Sequence, residues 1–118
     1  RDLHSFPTRR SSDLFEKTLH DLKPNCVNIL MTHCLDSLLK LSHHGLDLAL
    51  SGHTHGGQLR LPLLGPIFCD SKLPRRYIQG LHEYKGIKTF VSRGLGASRL
   101  TFPRFACRPE AVLLEILP

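Results

Sequence analysis

Two closely spaced histidines are the residues of this sequence best suited to chemistry. His53 and His55 lie in the stretch SGHTHGGQLRLP, residues 51–62, and Gly56 and Gly57 follow them at once. Imidazole is the commonest protein ligand of divalent transition metals, and glycine lets a backbone approach a bound ion or phosphate closely. The alternative interpretation, a polar turn without a ligand, is weaker for a pair between glycines than for a lone histidine.

A third histidine is expected at the same place. His33 ends the apolar stretch VNILMTH, which predicts a buried strand, and His53 follows a second such stretch, LDLALSG. Adjacent parallel strands end at one edge of a sheet, where α/β proteins bind ligands. Side chains two apart on extended backbone also point the same way, so we predict that His33, His53 and His55 face one shared space. Taken alone, His33 is more often a polar cap or a satisfied core residue.

The other histidines are given no part in this site: His4, His20, His43, His44 and His82. His43 and His44 end a predicted helix, where they favour interaction with its dipole, and His82 lies in a predicted hairpin. Asp2-Leu3-His4 spells D-x-H, a metal-binding pair that should leave the end of a buried strand. Only Arg1 precedes it, so we predict no metal site there.

The first fourteen residues are predicted to lie outside the fold. RDLHSFPTRRSSDL is polar, is interrupted by Pro7 and shows neither helical nor strand periodicity. The string also resembles the translated read-through of a sequencing adaptor. We therefore interpret residues 1–14 as a non-native or disordered leader, a sequencing artefact, and residues 15–118 as the part that folds.

The rest of the chain alternates strand and helix and then becomes rich in strands. Residues 15–22 predict a short helix, LDSLLKLSHHG predicts a second helix between the two apolar strands, and Gly45 stands where that helix should end. Such a strand-helix-strand unit pairs its strands in parallel. Beyond the glycines, LRLPLLGPIF predicts an apolar loop, RRYIQGLHEY and KTFVSR predict a β-hairpin, and AVLLEIL predicts a closing buried strand. The predicted fold class is α/β.

Charge and cysteine content narrow the classes of partner. The net charge is +6, and ten of the sixteen Lys and Arg residues lie between Arg60 and Arg108. This positive charge favours anionic partners such as phosphates or acidic lipid headgroups. The alternative is that these residues only form a solvated basic surface. No nucleic-acid-binding motif accompanies the charge. The cysteines form no C-x-x-C pair, so the sequence indicates neither a zinc ribbon nor a disulfide framework. Cys34, Cys69 and Cys107 are interpreted as small buried residues. No apolar run is long enough to span a membrane.

Several stretches together resemble one enzyme family. SGHTHGGQLRLP is similar to the G-H-x-H motif of the calcineurin-like metallophosphoesterases, with the GGQ extension of a bacterial membrane-associated phosphodiesterase subgroup. ILMTHCLD resembles the preceding histidine motif, KTFVSRGLG the following hairpin and loop, and RFACRPEAVLLEI the closing strand. The resemblance covers residues 26–118. It departs at Cys34-Leu35, where the subgroup usually has an Asn-Pro type of pair.

The resemblance implies a dinuclear hydrolase of phosphate esters. The implied fold is a metallophosphoesterase β-sandwich flanked by helices, of which residues 15–118 are the C-terminal half. His33 and His53 would bind one divalent ion and His55 a second, the ions being manganese, zinc or iron. The family's carboxylate motifs, G-D-x-x-D and G-N-H-[DE], have no counterpart here, because no Gly-Asp or Gly-Asn pair occurs in the sequence. No catalytic residue is therefore assigned, and we expect the chain alone to be inactive.

Three alternatives stay open at this stage. The chain is either part of a phosphodiesterase or a stand-alone module that binds metal or anions without catalysis. Arg93 either binds a phosphate oxygen of the substrate, or it has a structural role in which it pairs with Glu110 or caps loop carbonyls. The stretch LPLLGPIF either lies near a lipid or membrane surface or packs onto the sheet, and packing is favoured. The sequence assigns no oligomeric state.

Overall fold

The chain folds around a mixed four-stranded β-sheet. A computed structural model describes residues 16–41, 45–97 and 103–117. Its strands in chain order are β1 (Ile29–Met31), β2 (Leu48–Ser51), β3 (Arg60–Leu61), β4 (Gly65–Pro66), β5 (Gly80–Tyr84) and β6 (Ile87–Val91). The main sheet has the order β1-β2-β6-β5, and β3 and β4 form a separate two-stranded hairpin. Short 3₁₀ helices occupy Leu35–Lys40, His55–Gly57 and Arg75–Ile78, and residues 16–20 are helical. The predicted α/β class is confirmed.

The first two strands pair in parallel, as the strand-helix-strand pattern predicts. Leu30 of β1 lies opposite Ala49 of β2. The segment that joins the strands differs from the prediction, because its regular part is a 3₁₀ helix that ends at Lys40 and is followed by extended Leu41. Gly45 has a φ of +90° and leads into β2 instead of ending the helix. His43 and His44 lie outside the described residues, as do residues 1–15 with the predicted leader and the D-x-H pair.

The predicted hairpin is present as β5 and β6, but the start of its predicted first arm, Arg75–Ile78, is a 3₁₀ helix. β5 and β6 pair antiparallel around Lys85 and Gly86, whose φ values are 51° and 82°. Two consecutive residues with positive φ match the twist of a two-residue hairpin turn, and glycine takes up one of these positions without strain. β6 also pairs in parallel with β2. β2 is therefore flanked on both sides, which fixes the strand that leads into His53.

The core lies between the sheet and the helices at Leu35–Lys40 and Arg75–Ile78. Its best buried members come from β2, β6 and those two helices: Leu38, Ala49, Ile78, Ile87, Thr89 and Val91. Along β6 every second side chain is buried, so one face of this strand meets the core and the other does not. The best buried residues of the sheet therefore come from its two central strands, and β2 leads directly into residues 52–60, here called the histidine loop.

Two predictions of buried strands are wrong: the first strand is present but partly exposed, and the closing strand is not formed. β1 forms an edge of the sheet, and Ile29 and Met31 are exposed on it, so the prediction that this strand is buried on both faces fails. Residues 111–117, the predicted closing strand, form no strand, and Leu113 among them is 94% exposed. An apolar run becomes a strand only when a neighbour accepts its backbone hydrogen bonds, and the described part of the chain offers none there.

The stretch LRLPLLGPIF is more regular and more exposed than predicted. It forms the β3–β4 hairpin instead of an irregular loop, and Leu63 and Leu64 lie exposed at its tip. The favoured interpretation, that these residues pack onto the sheet, is therefore wrong for the tip of the hairpin. No helix among the described residues is long and apolar enough to cross a membrane.

The cysteines are free thiols with unequal burial. Cys107 is buried, as predicted, whereas Cys34 and Cys69 are half-buried and Cys26 is exposed. The absence of a C-x-x-C pair in the sequence is thus matched by unpaired thiols in the fold.

Candidate metal centre

The ends of β1 and β2 bring two histidine rings into contact. His33 lies two residues beyond β1, and His53 lies two residues beyond β2. The Gly52 N–H donates to the His33 carbonyl at 3.3 Å, which continues the pairing of the two strands past their ends. The ring centroids of His33 and His53 lie 4.4 Å apart. The predicted meeting of these two histidines at one edge of the sheet is confirmed.

His53 and His55 reach this edge by a different backbone route from the one predicted. Their φ values are 68° and 49°, so neither residue is extended. Thr54 between them has helical angles and is buried, and its hydroxyl donates to the Ile78 carbonyl at 2.6 Å. This inward anchor leaves the two flanking residues in the left-handed region, which costs a non-glycine residue about 1 kcal/mol and is concentrated at functional sites.

The His55 ring lies within electrostatic reach of the other two. Burial lowers the pKa of His55, and the charges of Arg104, His53 and His33 lower it further. The imidazole is therefore neutral at neutral pH, and neutral imidazole is the form that binds a metal ion. The direct ring contact joins His33 and His53, and His55 lies within electrostatic reach of that pair.

Asp70 is a member of this cluster that the sequence did not reveal. Its carboxylate Oδ2 lies 3.1 Å from Nε2 of His53, and the His53 side chain is only 17% exposed. A carboxylate on an imidazole fixes the orientation and tautomer of the ring. Asp70 lies in an irregular loop with no periodicity to mark it, and its one signal is that it is among only three acids between residues 60 and 110.

Arg93 lies across the histidine loop and pairs with Glu110. A Cβ added at Gly56 would lie 2.6 Å from Cγ of Arg93, so that glycine makes room for the arginine side chain. Nε of Arg93 donates to Oε2 of Glu110 at 2.8 Å, and the backbone N–H of Arg93 donates to Oε1 at 2.9 Å. These hydrogen bonds lower the pKa of Glu110 and raise that of Arg93. Arg93 therefore pairs with Glu110, which is the structural role that the sequence left open for it.

Several known proteins similar to this chain are named metallophosphoesterases or phosphodiesterases. The metallophosphoesterase YkuE of Bacillus subtilis is 37% identical over 102 residues, which cover 86% of this chain and 35% of that protein. Phosphodiesterase YaeI of Escherichia coli is 38% identical over 93 residues, 79% of this chain and 33% of that protein. UDP-2,3-diacylglucosamine pyrophosphatase LpxG of Chlamydia trachomatis is 29% identical over 113 residues, 86% of this chain and 32% of that protein. No family model and no solved structure matches the chain.

The chain belongs to the calcineurin-like metallophosphoesterase family. It spans about a third of the length of these relatives. This metallophosphoesterase chain therefore has hydrolase ancestry, and His53 and His55 lie in the stretch that resembles the G-H-x-H motif of the family.

The half-buried thiols of Cys34 and Cys69 are protonated at neutral pH in the metal-free chain. Burial raises the pKa of Cys69 to about 11, and burial also raises the pKa of Cys34. The thiolate is the form that ligates metals, and neither cysteine forms it readily at neutral pH.

The donor set fits one part of a metallophosphoesterase centre. Imidazole donors suit zinc or iron, whereas manganese prefers carboxylate oxygens. No three His, Cys, Asp or Glu side chains are arranged to enclose an ion by themselves in the part of the chain that the structure describes. The cluster therefore suits a site to which further ligands, carboxylates above all, are added.

Proposed function

We propose that this chain supplies the histidine side of a dinuclear metal centre that hydrolyses phosphodiesters. His33 and His53 bind one divalent ion, His55 binds the second, and a longer protein contributes the bridging carboxylates. The observation that carries the proposal is the contact of the His33 and His53 rings, 4.4 Å apart, with His55 in electrostatic reach. The family supports the chemistry, since phosphodiesterase YaeI is 38% identical.

In the proposed reaction the residues of this chain hold the histidine loop, orient the His53 ring and bind the substrate. Two bound cations would activate a water and neutralise the phosphoryl oxygens. Thr54 fixes the loop through its bond to Ile78, and Asp70 orients the His53 ring. Arg93, held by the Glu110 carboxylate, is proposed to bind a phosphate oxygen of the substrate, because a guanidinium keeps donors beyond those used by one carboxylate.

The first experiment transfers the chain into an active relative. The matching 93 residues of YaeI are replaced by those of this chain, and hydrolysis of bis-p-nitrophenyl phosphate is measured. We expect the graft to hydrolyse the ester, and His33→Ala, His53→Ala and His55→Ala each to lower kcat/KM by at least about a hundredfold. His82→Ala is the control, because that ring bonds to Gln79 on a different part of the fold. Equal activity in all four variants would overturn the ligand assignment.

The second experiment uses the chain as it is and does not depend on the graft. Zinc is titrated while the imidazole proton signals are followed by nuclear magnetic resonance. We expect weak binding, because each ion keeps at most two histidine ligands and no anionic bridge offsets the repulsion between two cations. The signals of His33, His53 and His55 shift, whereas that of His82 does not. Two tight stoichiometric sites would instead favour the stand-alone metal-binding module.

We also propose that the β3–β4 hairpin meets a lipid or membrane surface in the longer protein. Leu63 and Leu64 are exposed at its tip, and the chain carries a net charge of +6, which complements acidic headgroups. One relative, LpxG, is named for a substrate that carries two acyl chains. Cosedimentation with vesicles of phosphatidylglycerol and of phosphatidylcholine tests the idea. Leu63→Ser should weaken binding to the acidic vesicles, and Leu113→Ser, at an equally exposed leucine elsewhere, should not.

A further inference from the structure

The guanidinium of Arg104 joins two loops through backbone carbonyls. On one side Nη2 donates to the carbonyls of Arg93 at 2.6 Å and Gly94 at 3.0 Å, and Nε donates to that of Gly96 at 2.9 Å. On the other side Nη1 donates to the carbonyl of His55 at 3.3 Å. Among the described residues, the acceptors of Arg104 are neutral carbonyls and the sulfur of Cys107.

The rest of this segment runs along the same histidine loop. The Phe105 N–H donates to the Gln58 carbonyl and the Arg60 N–H donates to the Phe105 carbonyl, each at 3.0 Å. The Cys107 thiol donates to the His55 carbonyl at 3.2 Å. Residues 104–107 therefore form a brace that pins residues 55–60 in place.

The His55 carbonyl is the point at which the brace acts. It accepts from the Gln58 N–H at 3.1 Å as well as from Arg104 and Cys107. His55 sits in the left-handed region at a φ of 49°, a conformation that persists only where the surroundings impose it. Gly96, the partner of Nε, lies close to the His55 ring, since a Cβ added there would be 4.0 Å from Cε1.

We propose that Arg104 is a positioning residue of the metal centre, which sets the direction of the His55 imidazole by fixing the backbone of its loop. The inference rests on the proposed binding of metal by His55. A planar fork of five N–H donors spans the two loops at once, whereas the three donors of a lysine ammonium radiate from one atom. A lysine, which keeps the positive charge but not the planar fork, therefore does not replace Arg104.

The decisive variant is Arg104→Lys in the complete 118-residue chain, with Arg108→Lys at an exposed position as the control. Zinc is titrated and the dissociation constant is read separately from the signals of His55 and of His53. We expect Arg104→Lys to weaken zinc binding at His55 by about tenfold, as for other outer-shell partners, and to leave His53 within about twofold. Arg108→Lys should match the wild type at both rings.

A second readout separates this proposal from the proposed function. Hydrogen exchange of the Gln58 N–H, which bonds to the His55 carbonyl, reports the loop without any metal. It should accelerate at least about fivefold in Arg104→Lys and stay unchanged in Arg108→Lys. If the wild type binds no zinc and this exchange still responds, metal binding fails and the brace stands. Unchanged Gln58 exchange, or a lower melting temperature with unchanged zinc affinity at His55, would overturn the positioning role.

The wild-type chain alone tests whether Arg104 bridges the two loops, should Arg104→Lys fail to fold. A guanidinium held on both edges shows separate, slowly exchanging Nη signals at low temperature, and a freely turning one shows a single averaged signal. We expect separate signals for Arg104 and an averaged signal for exposed Arg108. An averaged signal for Arg104 would show that its guanidinium does not bridge the two loops.

Discussion

Two regions of this chain differ in how many contacts hold them in place. The histidine loop, residues 52–60, is held by β2, by the Arg93–Glu110 pair and by the Arg104 brace, with backbone and side-chain hydrogen bonds at nearly every residue. The closing segment, residues 111–117, forms no strand and exposes its apolar side chains. The edge of the sheet that carries the histidines is thus specified by contacts within the chain, whereas the closing segment has exposed apolar residues. Local order here follows from polar contacts more than from hydrophobicity.

The largest effect is expected where the histidine loop meets the β3–β4 hairpin. Gly57 has a φ of +77°, and an added Cβ would lie 2.3 Å from Cβ of Pro66 and 3.0 Å from the Phe68 carbonyl oxygen. Gly57→Ala should lower the free energy of unfolding by about 3 kcal/mol, since overpacking and backbone strain add. Urea denaturation followed by circular dichroism measures this change.

Gly94→Ala is the matched control for that substitution. Gly94 has a φ of +65°, but nothing lies within 4 Å of an added Cβ. Only the strain remains, so the loss should be about 1 kcal/mol. Equal losses in the two variants would show that the hairpin does not pack tightly on the loop, and the contrast between the two regions would weaken.

The next largest effect concerns acid stability. The hydrogen bonds from Arg93 lower the pKa of Glu110 in the folded chain. The pair therefore stabilises the fold at pH values above the ordinary glutamate pKa, and this contribution disappears as the pH falls through the lowered value. Glu110→Gln should cost about 1.5 kcal/mol at pH 7 and flatten the acid limb of the stability curve.

Glu115→Gln supplies the control, because Glu115 lies exposed in the closing segment. We expect little change in stability from it at any pH. Urea denaturation between pH 2 and pH 7 compares the two variants. A parallel loss of stability at every pH in Glu110→Gln would contradict the ionic origin of the effect.

The sequence predicted the strands that pair locally and missed the contacts that depend on distant partners. The β5–β6 hairpin and the parallel β1–β2 pair follow from apolar runs, spacing and turn residues, and both are present. The closing strand was predicted from the same kind of apolar run and is wrong, because the existence of a strand depends on a partner that an apolar pattern does not reveal. Strand prediction therefore succeeded where the partner was a sequence neighbour.

The site shows the same division. Spacing and position after strands were enough to predict the contact of His33 with His53, and His55 lies within electrostatic reach of that pair. The stated reason for the orientation of the pair, extended backbone, is wrong, because the left-handed angles of the loop are imposed by the Thr54 anchor and the brace. Asp70 and Arg104 were missed, since each lies in an irregular segment and contacts the loop only in the folded chain.

A smaller effect is expected from replacing the fork of Arg93 in the YaeI graft. If Arg93 binds a phosphate oxygen, Arg93→Lys should raise KM for the phosphodiester about tenfold and change kcat by less than threefold, because bidentate contact is lost and charge is kept. Glu110→Gln should raise KM in the same direction by releasing the guanidinium. Initial-rate kinetics over a range of substrate concentrations measures both. A large fall in melting temperature with unchanged kinetics would assign Arg93 to structure alone.

The smallest effect should come from the closing segment, and it sharpens the comparison from the other side. Leu113 is 94% exposed, so its side chain gains almost no burial on folding and its removal forfeits almost none. Leu113→Ser should therefore change the free energy of unfolding by less than about 0.5 kcal/mol, the range of surface substitutions. Leu38→Ala, at a fully buried position, should cost about 3 kcal/mol in the same urea titration. If Leu113→Ser cost as much as Leu38→Ala, the closing segment would pack onto the fold in solution, and the contrast with the histidine loop would rest on polar contacts alone.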